Sequence, residues 1–86
     1  MPEISSFHGI RVTINYRDHL PPHLHAEHGD DEVLIDLRDL SVYEGSLPKS
    51  AFKLLLQWAT QHQDELLRIW DLARAQQPLP KLTPLP

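Results

Sequence analysis

The stretch Asp18-His19-Leu20-Pro21-Pro22-His23-Leu24-His25-Ala26-Glu27-His28 puts four histidines into ten residues, with Asp18 before them and Glu27 among them. Imidazole titrates near neutral pH, so this is the segment whose side chains could move protons or hold a metal. Side chains alternate along an extended chain, which places His23 and His25 on one face, Glu27 next in line and His28 on the other side. Three chemistries fit. Metal-independent RNA cleavage needs a base for the ribose 2′-hydroxyl, an acid for the leaving oxygen and cations for the developing charge. His23 and His25 are the base and acid candidates, Glu27 shares their face, and Asp18 can orient a histidine. A metal site is the second chemistry: His19, His23 and His25, helped by Asp18, suit Zn, Ni or Cu, although His-x-His without a further spaced pair is a weak signal. The third is structural, with imidazoles bonding backbone carbonyls of the Pro-Pro turn and pairing with Asp18 or Glu27. His8 and His62 stand alone and read as capping or packing residues.

These side chains need a frame. Ile10 to Arg17 alternates apolar and polar residues, the mark of a half-buried strand with Ile10, Val12, Ile14 and Tyr16 inward and Arg11, Thr13, Asn15 and Arg17 outward. If the His23–His28 strand pairs with it antiparallel, Arg11, Asn15 and Arg17, with His19 nearby, form the substrate-binding side of a phosphate site. Gly29-Asp30-Asp31 reads as a tight turn into a strand over residues 32–37, and residues 41–44 make a short fourth strand. Gly45-Ser46-Leu47-Pro48 reads as a helix entry capped by Ser46. Ala51, Leu55, Trp58 and Ala59 then lie on one helix face. Thr60-Gln61-His62-Gln63 has the form of a capping box, and a second helix through Leu66, Leu67, Ile69, Trp70 and Ala73 must end before Pro78. The expectation is an α+β fold: a four-stranded, mostly antiparallel sheet followed by two C-terminal helices packed on one face. Residues 1–77 form the domain, and residues 78–86 a Pro-rich tail whose leucines lie over the domain or strap onto a partner.

Composition narrows the function classes. At 86 residues the chain has room for one core, and 41% hydrophobic with 23% charged residues is ordinary for a globular protein. With no cysteine there is no disulfide, thiol nucleophile or thiolate metal site, which suits a cytoplasmic protein. No stretch approaches the roughly 18 apolar residues of a membrane span. The net charge of −4 is unevenly spread: residues 30–45 hold six acids against Arg38 alone, while residues 1–29 hold five of the six histidines. DNA is therefore not an expected partner, although a local groove of Arg and His could take one RNA strand.

The Asp-His-x-Pro-Pro-His-x-His-Ala stretch, Pro2-Glu3-Ile4-Ser5, Val33-Leu34-Ile35-Asp36, Glu44-Gly45-Ser46-Leu47-Pro48 and Trp58 followed by His62 and Glu65-Leu66-Leu67 occur here in one order. On those motifs the chain resembles the small bacterial proteins called domain of unknown function 4160. Leu24 and His28 stand where that pattern usually has aromatic residues. The resemblance implies a four-stranded sheet with two C-terminal helices. It also implies a small protein encoded beside this one, of domain of unknown function 2442, in a toxin–antitoxin-like pair with this chain as candidate toxin. It points to Asp18, His19, Pro21, Pro22, His23 and His25 without giving any of them a chemical role. A non-catalytic protein-binding module with structural histidines is the alternative. No cofactor is expected beyond a divalent metal held by the histidines.

Overall fold

The computed structural model describes residues 2–86. Five strands, β1 (Glu3–Phe7), β2 (Ile10–Thr13), β3 (His23–His28), β4 (Asp31–Asp36) and β5 (Val42–Gly45), precede two helices, α1 (Lys49–Gln61) and α2 (Gln63–Arg74). The strands lie side by side in chain order, and every neighbouring pair is antiparallel. The fold is α+β as expected, with five strands instead of four. The additional strand is β1. A bulge between Glu3 and Ser5 breaks its alternation, so Ile4, Ser5 and Phe7 are all buried and no period of two marks it in the sequence.

One sheet face carries Ile10, Val12, Leu24, Ala26, Val33 and Ile35, all fully buried under the helices. The helix stripe is the expected one: Ala51, Leu55, Trp58 and Ala59 of α1 and Leu66, Ile69, Trp70 and Ala73 of α2 are buried. The helix ends differ in detail. Ser46 does not cap α1: Pro48 stands at the cap with no side-chain cap bond, and the Ser46 N–H, donating to the Glu32 carbonyl at 3.0 Å, ties that residue to β4 two positions before the cap. The Thr60 hydroxyl donates back to the Leu56 carbonyl at 2.7 Å, so no capping box forms. His62 takes the break between the helices, its ring 2.7 Å from Glu65.

β2 ends at Thr13, earlier than the alternation suggests. The chain turns at Tyr16 and Arg17, where Arg17 has a left-handed φ of 56°, and Tyr16, expected in the core, is 42% exposed. Thr13, expected to face solvent, is fully buried, opposite His25 in the pairing of β2 with β3. The tail packs on its own domain. Leu82 and Leu85 are buried, the Leu82 N–H donates to the Ile4 carbonyl at 2.8 Å, and Trp58 Nε1 donates to the Thr83 carbonyl at 2.9 Å. No helix among the described residues is long and apolar enough to cross a membrane.

Candidate functional site

The β2–β3 register sets Thr13 opposite His25 and Arg11 opposite Glu27, while β4 sets Asp36 opposite His23. The chain between β2 and β3 folds back so that Asp18 lands on the histidine face. Its Oδ2 lies 3.0 Å from His23 Nε2 and 3.2 Å from His25 Nε2. One carboxylate oxygen is thus held by two imidazoles. Around this centre, the Asn15 amide nitrogen lies 3.2 Å from His25 Nε2, and the His19 N–H donates to Asp18 Oδ1 at 2.9 Å. His23 Nδ1 lies 2.7 Å from the Pro21 carbonyl, and His25 Nδ1 lies 3.4 Å from Glu32 Oε2.

The two histidines differ in access. His23 is 1% exposed, its ring among those of His19, His25, Tyr43 and Trp70 at centroid distances of 5.1–5.7 Å. His25 and Asp18 keep 16% and 15% of their side-chain surface open. Burial pushes the Asp18 carboxyl up, but the hydrogen bond with His25, the His19 N–H and the nearby charges of His23 and His25 outweigh it and hold the carboxyl below its ordinary value. Asp36 is also held low, first by the Arg38 guanidinium, which donates to it at 2.7 Å.

The structure brings Asp18, His23, His25 and Asn15 together. His19 joins through its backbone, while its ring is largely exposed. Arg11 and Glu27 form a separate pair further along the strands, 3.9 Å apart. Arg17 sits in the exposed turn after β2, outside the cluster. The contact of His23 with the Pro21 carbonyl is the one expected of the Pro-Pro turn, whereas sequence reasoning missed three neighbours: Glu32, Tyr43 and Trp70. Alternation along β4 does put Glu32 on the outward face, but its position beside His25 depends on cross-strand register, which no local pattern encodes. Tyr43 and Trp70 arrive from β5 and α2.

The molecule is thus a small antiparallel-sheet domain with two covering helices and a carboxylate clamped by two imidazoles at one end of the sheet. The chain belongs to the family described as Domain of unknown function (DUF4160), which matches residues 9–71. That span holds Asp18, His23 and His25 and leaves β1 and the tail outside. No curated protein and no solved structure matches the chain.

Proposed function

We propose that this chain is a protein-binding module whose partner adds an extended segment to the outer edge of β5. The observation that carries this is the state of that edge. β5 is the last strand of the sheet and all four of its residues are exposed, with Val42 at 49% and Tyr43 at 44%. Backbone groups on an open edge are a template for another strand, and exposed apolar residues beside it add affinity. A groove of about 220 Å³ lined by Val42, Leu47 and Phe52 lies against the strand and offers room for one apolar side chain. The acids of residues 30–45 favour a segment carrying basic as well as apolar residues. The partner we propose is the small protein expected beside a member of this family, with the two chains acting as a toxin–antitoxin-like pair in the cytoplasm.

The test is co-purification with the product of the adjoining gene. Wild type should hold it, and Val42→Lys should lose it while melting at the same temperature. A complex that survives the substitution, or a wild type that holds nothing, would overturn the reading.

Metal-independent RNA cleavage is the second reading, favoured by Arg11, Asn15 and Glu27 sharing the face of His25. It requires His23 to leave Asp18 and reach solvent, since its ring is 1% exposed. Cleavage by the purified chain that is lost in His25→Ala and kept in the β5 variant would select it.

A further inference from the structure

We infer that Asp18 Oδ2, His23 Nε2 and His25 Nε2 form a binding site for one divalent transition-metal ion of the zinc class. None of its donor atoms comes from β5, although Tyr43 packs against the His23 ring. The argument starts from the tautomer of His23. Its Nδ1 lies 2.7 Å from the Pro21 carbonyl oxygen, which can only accept, so Nδ1 carries the proton. In the neutral ring the Nε2 lone pair then faces Asp18 Oδ2 across 3.0 Å. Two acceptors that close need a proton or a metal ion between them.

His25 repeats the pattern. Its Nδ1 is turned to the Glu32 carboxylate at 3.4 Å, and its Nε2 meets the same Asp18 oxygen at 3.2 Å. All three donor atoms lie within 4.8 Å of one another. Ligands at about 2.0–2.1 Å from a tetrahedral ion sit about 3.3 Å apart, so the two Asp18 separations already match the edges of such a polyhedron. Each donor is also oriented from behind: His23 by a carbonyl, His25 by a carboxylate, and Asp18 by the His19 N–H at 2.9 Å. That outer arrangement is the one metal-binding imidazoles characteristically have.

Asn15 supplies the fourth position. Its Oδ1 is buried without a hydrogen-bond partner, while its Nδ2 occupies the place 3.2 Å from His25 Nε2. Rotating the amide by half a turn exchanges the two atoms and brings Oδ1 to the centre as an oxygen ligand. The resulting set of two imidazole nitrogens and two oxygens suits zinc and lacks the thiolates that would favour softer ions.

The competing occupant is a proton on His23 Nε2, which would make the cluster a buried ion pair. Calorimetric titration of the untagged full chain with zinc chloride at neutral pH separates the two. We expect one zinc per chain at micromolar affinity or tighter. Glu32→Gln, an exposed change behind His25, should weaken it by about 10-fold, and His25→Ala by more than the roughly 100-fold limit for such outer partners. A measurement without variants guards against misfolding: the ring nitrogen resonances of His23 and His25 should shift on zinc addition, with a single proton left on each ring. Absence of stoichiometric binding, equal affinity in His25→Ala, or a His23 ring that keeps both protons at saturating zinc would overturn the site.

Discussion

The two edges of the sheet are treated in opposite ways. Along β1 the chain closes its own edge: the tail donates to the Ile4 carbonyl, accepts from the Ser5 hydroxyl at 3.1 Å and buries Leu82 and Leu85. Along β5 no further strand among the described residues pairs with the outer edge, and all four of its residues are exposed, Val42 and Tyr43 by about half. An uncovered edge is a hazard that proteins ordinarily blunt. A chain that spends nine residues closing one edge and leaves the other open has one edge for stability and one available for association.

The sharpest way to break this contrast is to substitute the residues that differ most in burial. Leu82→Ala should lower the unfolding free energy by about 2–3 kcal/mol in urea titration, because it opens a cavity between the tail and β1. An unfolding midpoint equal to wild type would mean the tail is not part of the core. Gly45 comes next. Its φ is +78° and a Cβ there would stand 2.2 Å from the Glu32 carbonyl oxygen, so Gly45→Ala should cost about 2 kcal/mol or more. Gly29→Ala shares the positive φ, +60°, but meets nothing within 4 Å and should cost only about 1 kcal/mol. Comparing the two melts separates backbone strain from the close contact that anchors β5 to β4.

A smaller effect concerns acid. Asp18 and Asp36 are held below their ordinary values in the folded chain, so on acidification the unfolded chain takes up protons first. Stability from these groups is complete above about pH 4 and falls away as the pH drops through their lower folded-state values. Asp18→Asn should flatten the melting temperature against pH in that range, and a variant as acid-sensitive as wild type would remove Asp18 from the explanation. The smallest effect belongs to the open edge: Val42→Ser should change stability by less than about 0.5 kcal/mol, since the side chain is half exposed already. A larger loss would show that β5 is part of the structural core.

Legibility in the sequence followed periodicity. β3 alternates polar and apolar residues through Glu27, β4 carries the apolar run Val33-Leu34-Ile35, and α1 and α2 carry apolar stripes at helical spacing, so these elements are readable without a structure. β1 is not, because its bulge removes the period. Tyr16 extends a pattern past the point where the chain turns, and Ser46 and Thr60 have capping residue types, but Pro48 and His62 stand at the caps and the Thr60 hydroxyl donates to the Leu56 carbonyl.

At the site, the sequence by itself determined which residue types are available: the histidines, Asp18 within seven residues of His25, and the one-face relation of His23 and His25. Chain alternation is a local property, so a local pattern carries it. Only the tertiary structure decided that Asp18 folds back onto both imidazoles, that Glu32 comes to stand behind His25, that Arg17 is left outside, and that His23 is sealed by Tyr43 and Trp70. Those placements depend on strand register and on helix packing across the sheet, where contacts join residues far apart in the chain and no spacing along it records them.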